Sequence, residues 1–243
     1  MGKILLSIVV PCYNEGRNIP LVLERFYETL KDEGLLSNVE LILVDNNSKD
    51  DSAEVLKNEL KKFKYGFAKT VFQEISGYGS AIKKGLSDSI GEFVCWTHGD
   101  IQTPPKDTIK AYKLMLKQDN PKKTFVKGTR YGRPVLDKVL TMGMSFVETI
   151  LFRKTFWDIN SQPNLFHRDF LKILFVDNAP NDFSFDLYAY YLVKKNNYFV
   201  KRFDVHFGKR LFGESSWNTG LLARYGFIKR TLKFSFELKK GLK

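Results

Sequence analysis

The first half of the chain alternates short apolar runs with amphipathic segments. The apolar runs are rich in β-branched residues and predict buried strands, whereas apolar residues three or four positions apart predict helices between them. The predicted elements are a strand at 5–10, a helix at 18–33, a strand at 39–44, a helix at 52–63, a strand at 68–72, a helix at 79–89, a strand at 92–97, a helix at 104–117 and a strand at 124–127. This alternation favours βαβ units and a mostly parallel sheet.

The second half is less regular. Its patterns predict a helix at 135–152, an irregular or short-strand segment at 158–166, a helix at 183–195, a strand at 198–207 and an amphipathic segment at 221–243. A length of 243 residues suits one α/β domain with an appendage. We therefore expect a catalytic domain at 1–217 and a helical extension at 218–243. No run reaches the roughly 18 apolar residues that a membrane-spanning helix needs.

The charge points to an anionic partner. The net charge is +12, and residues 221–243 carry seven basic residues against one acidic residue. Nucleic acid, phospholipid and phosphorylated substrates are all open on this ground. The apolar stripe Leu221, Tyr225, Ile228 and Leu232 favours a peripheral helix on an anionic membrane, which places the protein in the cytoplasm at the inner face of the membrane. A packed terminal helix or a homo-oligomer interface are the alternatives.

Candidate chemistry follows the strands, since parallel sheets bind ligands at their carboxyl ends. After the first strand come Pro11, Tyr13, Asn14 and Glu15, which offer an aromatic face, an amide and a carboxylate. A nucleoside suits such a set, although helix capping is the alternative. After the second strand, Asp45 stands where an acid commonly binds ribose hydroxyls; the alternative is a cap of the following helix, which Ser48 or Asp50 could supply.

The next two loops suit phosphate and metal. Gly77 and Lys83 flank the start of the third helix, where a close backbone approach and the helix dipole favour anions. After the fourth strand come His98, Asp100 and Gln102. One or two carboxylates suffice for a Mg or Mn ion that also binds substrate phosphates. An ordinary turn is the alternative for this loop.

Together, the four loops resemble those of family 2 glycosyltransferases with the GT-A fold, in the dolichyl-phosphate mannosyltransferase-like branch. The resemblance covers residues 5–217 and implies a Rossmann-like, mostly parallel central sheet flanked by helices. It also implies a nucleotide-diphosphate sugar donor, bound by the first two loops. In that family an Asp-x-Asp-x-Gln motif holds Mg²⁺ or Mn²⁺; Asp100 and Gln102 match its second and third positions, and His98 replaces the first Asp.

Further matches extend the resemblance. Arg130 matches the family's Gly-x-Arg, and Gln162 opens a segment that resembles Gly-Phe-x-x-Phe-x-Arg. Arg210 and Ser215 match a loop that closes over donor phosphates. The resemblance therefore implies that these four residues bind phosphate or acceptor. Further departures from the family pattern are Asn46, Pro163 and Ser216.

The resemblance implies inverting transfer to a polyprenyl-phosphate or glycan acceptor in cell-surface polysaccharide or glycolipid synthesis. A hydroxyl acceptor needs a base, for which Asp182 and Asp186 share one helix face; Asp182 is alternatively a cap. A lipid phosphate is already ionised and needs cations to hold it. Arg130, Arg133 and Lys138 are the candidates for that role.

Three other functions compete with this interpretation. A sugar-nucleotide pyrophosphorylase would carry a Gly-rich basic loop after the first strand, where this chain has Tyr13, Asn14 and Glu15. A nucleic-acid-binding protein would fit the charge, but no recognised motif supports it, so no nucleic-acid partner is expected. A non-catalytic relative that binds sugar nucleotide without turnover is suggested by His98.

Overall fold

The computed structural model describes residues 3–176, 179–208, 210–212 and 220–241. The strands are β1 Leu6–Cys12, β2 Val39–Asp45, β3 Ala68–Phe72, β4 Phe93–Trp96, β5 Thr124–Tyr131, β6 Asn164–His167 and β7 Phe199–His206. The α-helices are α1 Ile19–Asp32, α2 Ser52–Glu59, α3 Tyr78–Ser87, α4 Pro105–Leu116, α5 Val135–Phe152, α6 Leu171–Leu174, α7 Ser184–Lys195 and α8 Leu221–Lys240. Single 3-10 turns lie at Phe63–Tyr65, Pro121–Lys123 and Arg168–Phe170.

All seven strands form one sheet in the order β3-β2-β1-β4-β6-β5-β7. Neighbours are parallel except around β6, which runs antiparallel to both β4 and β5. The predicted mostly parallel α/β sheet is confirmed. Because six strands point the same way, the loops that follow them meet at one edge of the sheet.

Helices cover both faces of the sheet, which is why its central strands are apolar on both sides. Along β1, Ile8 and Val10 pack into the layer that holds α1, α2 and α4, whereas Val9 packs into the layer of α3, α6 and α7. Every residue of β2 is buried. This two-sided core fixes the position of the loops at the sheet edge.

Helix α8 packs on the outside of the second layer. The Phe234 ring lies 6.4 Å from the Tyr188 ring of α7, and Ser235 Oγ donates a hydrogen bond of 2.6 Å to Glu148 of α5. One face of α8 therefore packs on the domain, and the contact of this helix with a membrane stays a prediction. No helix in the part of the chain described here is long and apolar enough to cross a membrane.

Two elements differ from the sequence prediction. Strand β5 continues to Tyr131 instead of ending at 127, because β7 pairs with it along its whole length. The segment 158–166, predicted as irregular or a short strand, contributes β6, which confirms the short-strand option; its four residues insert between β4 and β5. So short a strand, made by distant partners, carries little local signal. The helix α6 was not predicted.

Candidate active site

A cavity of about 1120 Å³ opens at the carboxyl edge of the sheet. Loops after β1, β2, β3, β4, β5 and β7 line it, together with α5, α7 and α8. The predicted site residues that line it are Pro11, Tyr13, Asn14, Glu15, Gly77, His98, Asp100, Gln102, Arg130, Arg133, Asp186 and Arg210. The fold therefore gathers most of the predicted residues, from five loops and one helix, around one space.

The loops after β1 and β2 are locked together by hydrogen bonds. Asn14 has a left-handed φ of 54°, and its side-chain oxygen accepts the Lys49 N–H at 2.8 Å. The Glu15 N–H donates to Ser52 Oγ at 2.9 Å. Tyr13 stands apart from these contacts and is 44% exposed. The arrangement presents an aromatic face to the cavity from a rigid base, as stacking on a nucleobase requires.

Glu15 connects this base to the loop after β7. Its carboxylate accepts hydrogen bonds from Arg210 and from Asn18. Burial raises the Glu15 pKa to about 7, although the bonds to Asn18 and Arg210 act in the opposite direction. The first and last loops of the cavity are thus joined by a charged contact that responds to pH near neutrality.

Asp45 does not line the cavity. Its carboxylate is buried and accepts the Ser48 N–H at 3.0 Å, and its contact with ribose stays a prediction. The next residue, Asn46, reaches the cavity, and its side-chain oxygen accepts the Gly77 N–H at 2.9 Å. The polar group at this strand end is therefore an amide that connects two loops.

Lys83 also lies away from the cavity. Its Nζ donates to Ala179 O at 2.7 Å and to the Asn181 side chain at 2.6 Å. Asn181 O in turn lies 2.4 Å from the position of a Cβ on Gly77, so a side chain there would clash. The segment 179–182 covers the start of α3, and Lys83 is bonded to that segment.

The loop after β4 presents the predicted metal ligands. Asp100 accepts the Gln102 N–H at 3.1 Å, and Gln102 Nε2 donates to Gly208 O at 3.0 Å. Between them, Ile101 has a φ of 63°. A β-branched residue in the left-handed region is strained, and such strain clusters at functional sites. Here it places the Asp100 and Gln102 side chains on one tight turn.

The donor atoms of this loop fit a divalent cation. His98 Nε2 is buried and has no hydrogen-bond partner in the described structure, and burial lowers the His98 pKa, so the ring is neutral at pH 7. Neutral imidazole, carboxylate and amide oxygen together suit Mn²⁺. Within the described ranges no three His, Cys, Asp or Glu side chains converge. An ion bound here therefore needs oxygens from a ligand such as a diphosphate.

Asp186 lies at the floor of the cavity in a buried network. Its two oxygens accept hydrogen bonds of 3.0 Å from Trp96 Nε1 and from the Tyr78 hydroxyl. Gln162 Nε2 bonds to the same hydroxyl, so Gln162 lies behind Tyr78 and does not line the cavity. Burial raises the Asp186 pKa. Tyr78 was missed by the sequence analysis, although it directly follows Gly77, which that analysis singled out.

Asp182 is separated from this network. Its side chain accepts the Ser184 N–H at 2.9 Å at the start of α7, and it does not line the cavity. Asp182 thus forms a local bond one residue before the N-cap of α7, which is Phe183, and its role as a base stays a prediction. Ser215, the predicted phosphate ligand, lies outside the described residues.

Two arginines line the cavity between β5 and the start of α5. The Arg130 backbone N–H and Nε both bond to Asp158, at 2.8 and 3.0 Å. Burial acts to raise the Asp158 pKa, but Arg130 outweighs it and the pKa is lowered. Arg133 Nη1 donates to Thr141 at 3.0 Å, while its buried Nε has no described partner. Lys138 is exposed and does not line the cavity.

The part of the cavity that α5, α7 and α8 line is mostly apolar. Its apolar side chains are Leu140 and Met144 of α5, Phe227 and Ile228 of α8, and Phe183 at the start of α7, and the same helices also contribute Asp137, Thr141 and Arg224. The Phe183 ring stacks on Tyr78 at 4.7 Å. The sequence analysis did not assign this wall, although the i, i+4 pair of α5 was a usable signal. The cavity therefore has a polar side and an apolar side.

Comparison with known proteins identifies the family. The model of glycosyl transferase family 2 matches residues 7–154, so the chain belongs to this family. The chain is 33% identical over 102 residues to undecaprenyl-phosphate 4-deoxy-4-formamido-L-arabinose transferase of Pseudomonas savastanoi pv. phaseolicola, covering 42% of this chain and 30% of the relative. It is 31% identical over 128 residues to dolichol-phosphate mannosyltransferase of Mycosarcoma maydis, covering 52% and 42%. The matched part thus spans well under half the length of these relatives.

Solved structures share the fold over almost the whole chain. Glucosyl-3-phosphoglycerate synthase from Mycobacterium tuberculosis in complex with phosphoglyceric acid has a TM-score of 0.72 at 17% identity, covering 98% of this chain and 80% of that one. The same enzyme with Mn²⁺, UDP-glucose and phosphoglyceric acid has a TM-score of 0.71 at 18% identity, with the same coverage. The predicted family and GT-A fold are confirmed.

Proposed function

We propose that this chain is an inverting, metal-dependent glycosyltransferase that moves a sugar from a nucleotide-diphosphate donor to a polyprenyl phosphate. The observation that carries the proposal is the two-sided cavity, in which the loops after β1–β4 face an apolar wall from α5 and α8. Arg133 lines the cavity from the loop between β5 and α5, and its guanidinium lies 3.7 Å from Asp158. A charged donor and a lipid acceptor need such an arrangement to meet. The named relatives act on undecaprenyl phosphate and dolichol phosphate, which supports this acceptor class.

The polar side suits the donor. Tyr13 stacks on the base, Asn14 and Glu15 lie beside the nucleoside, and Arg210 binds the diphosphate. Asp100, with Gln102 and His98, would hold Mn²⁺ or Mg²⁺. A divalent ion bound there neutralises the charge that develops on the departing diphosphate. The chain's own contribution is to fix this loop through the strained Ile101 and to seat the diphosphate against it.

The apolar side suits the acceptor. A phosphate monoester is ionised near neutral pH and needs no base to attack the anomeric carbon. Arg133 is placed to hold it, because its buried Nε lacks a described partner and the adjacent wall is apolar. The first isoprene units then pack between Leu140 and Ile228. Attack from this side, opposite the diphosphate, inverts the anomeric configuration.

A glycan acceptor fits less well. Its hydroxyl would need a general base, and Asp186 already accepts hydrogen bonds from Trp96 and Tyr78. Loss of either bond would leave a buried polar group unpaired. The absence of nucleic-acid binding and the formation of a homo-oligomer remain predictions.

A transfer assay tests the proposal. The protein is incubated with radiolabelled nucleotide-diphosphate sugars and undecaprenyl phosphate, with Mn²⁺, Mg²⁺ or EDTA, and label in the organic phase is counted. We expect transfer that depends on the ion. Donor binding should weaken by about 5- to 100-fold in Tyr13→Ala, since base stacking contributes about 1–3 kcal/mol. Tyr13→Phe is the matched control that keeps the ring.

The outcomes separate the alternatives. Donor binding without transfer to any acceptor would indicate a non-catalytic relative. Transfer to a sugar hydroxyl but not to the lipid phosphate would replace the proposed acceptor. A nucleotide bound away from Tyr13 in a co-crystal structure would overturn the donor assignment.

A further inference from the structure

One helix of the structure presents an apolar face to solvent along its whole length. On α5, the residues Val135, Leu136, Val139, Met142, Phe146 and Ile150 are each between 52% and 74% exposed. They recur on one side of the helix over about four turns. Within α5, every residue of which is described, Lys138 is the single exposed charge. Apolar patches of this extent on a protein surface mark an interaction site.

Helix α8 runs beside α5 in the same direction. Arg224 lies 3.2 Å from Asp137, and Ser235 Oγ lies 2.6 Å from Glu148 Oε1. These contacts are eleven residues apart on both helices, which corresponds to about 16 Å of helix. The two helices therefore form one ridge on the outside of the domain.

The solvent side of α8 adds aromatic and basic groups to this ridge. Tyr225 and Phe236 are 64% and 53% exposed. Each follows a contact residue by one position, which turns it about 100° away from α5. Lys229, Lys233 and Lys240 are also exposed on this helix. Apolar surface beside aromatic and lysine side chains is the composition of a helix that lies in a lipid headgroup layer.

We propose that the α5/α8 ridge is a membrane-docking surface, with the outward face of α5 inserted into an anionic bilayer and the lysines of α8 bound to its headgroups. The insertion element is thus α5, whereas the sequence pattern had pointed to α8 alone. The same two helices contribute Leu140, Met144, Phe227 and Ile228 to the apolar wall of the cavity. The inference rests on the proposed function in this one respect: a docked ridge places that wall where a lipid phosphate enters.

Charge favours a bilayer over a second copy of the chain. Two copies joined through this ridge would bring the α8 lysines of both together in a protein that already carries a net charge of +12. Like charges at an interface oppose association. An anionic membrane is instead attracted by each exposed lysine.

The test is sedimentation with vesicles of phosphatidylglycerol and phosphatidylcholine. Phe146→Glu and Ile150→Glu place a charge on the exposed α5 face without touching the cavity, and each should weaken binding about 10-fold or more, since a buried large apolar side chain contributes at least that factor. Phe63→Glu is the matched control, because Phe63 is fully exposed on the far side of the domain. It should bind like the unaltered protein.

Other results would overturn the proposal. Unchanged binding in both α5 variants, with loss of binding in a chain that ends at Gly220, would assign docking to α8 alone. A dimer in light scattering that Phe146→Glu converts to a monomer, with no vesicle binding, would assign the ridge to a second copy. Transfer to a short-chain, water-soluble isoprenyl phosphate separates the two proposals. We expect Phe146→Glu to transfer sugar to this soluble acceptor at the normal rate. If the unaltered protein fails to transfer sugar to it, the proposed function is contradicted, whereas the result of the vesicle experiment is unaffected.

Discussion

The two sides of the cavity are built in different ways. The polar side consists of loops that directly follow β1–β4 and are held by hydrogen bonds, such as those from the Lys49 N–H to Asn14 and from the Gly77 N–H to Asn46. The apolar side consists of α5 and α8, which are distant in sequence and meet through Arg224–Asp137 and Ser235–Glu148. Donor recognition is thus encoded locally, strand by strand. Acceptor recognition depends on the packing of the second half.

The largest effect that would sharpen this comparison is expected on the polar side. Asp100→Ala removes the carboxylate proposed to hold the divalent ion, and charge stabilisation of several kcal/mol at the leaving diphosphate should be lost. We expect the turnover number to fall by about 10³-fold. Initial rates with saturating donor and acceptor, together with titration calorimetry of nucleotide in the presence of Mn²⁺, measure the loss.

Asp119→Ala is a suitable control for this variant, because Asp119 is an exposed loop carboxylate outside the cavity. It should leave both measurements unchanged. If Asp100→Ala binds nucleotide with normal affinity in the presence of Mn²⁺, Asp100 is not a ligand of the divalent ion.

The next effect is expected at the junction of the two sides. Arg133→Ala removes the cation proposed to bind the acceptor phosphate, and hydrogen bonds to charged groups contribute about 1.5–3 kcal/mol. We expect the KM for undecaprenyl phosphate to rise by about 10- to 100-fold while the affinity for donor nucleotide stays the same. Lys138→Ala is the matched control, since Lys138 is a nearby cation that does not line the cavity. A rise in the KM for the donor instead would show that Arg133 binds the donor and not the acceptor phosphate.

The difference between the two sides also decides what the sequence could predict. Tyr13, Asn14, Glu15 and Asp100 follow strands whose apolar runs were unmistakable, so their common edge followed from the parallel sheet. The sequence could not predict the direction in which an individual side chain points. Lys83 matched the expected position near a helix start but donates to Ala179 O.

The second half was harder because its signals are not local. Strand β6 has four residues, and its place between β4 and β5 is set by partners far along the chain. The pattern of α5 predicted the helix with correct bounds, yet periodicity cannot tell an apolar face that packs inside from one that stays exposed. The pattern therefore did not distinguish Phe146 and Ile150 from core positions, and the structure shows them at 66% and 61% exposure.

A smaller effect is expected at the contact between α5 and α8. Burial raises the Glu148 pKa to about 7, against the opposing hydrogen bond from Ser235. A raised carboxyl pKa contributes stability that is complete below the unfolded value and is lost as the pH rises through about 7. Glu148→Gln should therefore gain stability relative to the unaltered protein as the pH rises, by up to about 1.4 kcal/mol per pH unit in that window.

Urea unfolding at several pH values between about 5 and 8 measures the free energy of unfolding for both proteins. Taking the difference removes the contribution of Glu15, whose pKa is also raised to about 7. Glu33→Gln is the control, because Glu33 is an exposed carboxylate paired with Lys113. If the free energy of unfolding depends on pH in the same way in the unaltered protein and in Glu148→Gln, the pKa of Glu148 is not raised in the folded protein.

The smallest effect on the transfer rate is expected from substitution of Asp182. The experiment tests whether Asp182 acts as a general base for the acceptor. Asp182 accepts the Ser184 N–H at 2.9 Å at the start of α7, outside the cavity. Asp182→Ala should lower the free energy of unfolding by about 1 kcal/mol, the usual contribution of a helix-start hydrogen bond. The transfer rate should change by less than about twofold, because loss of a true general base costs about 10²–10⁴-fold. Asp182→Asn keeps the accepting oxygen and should preserve both stability and rate. A rate loss in both variants with normal stability would make Asp182 the base, favour a hydroxyl acceptor and remove the contrast between the two sides of the cavity.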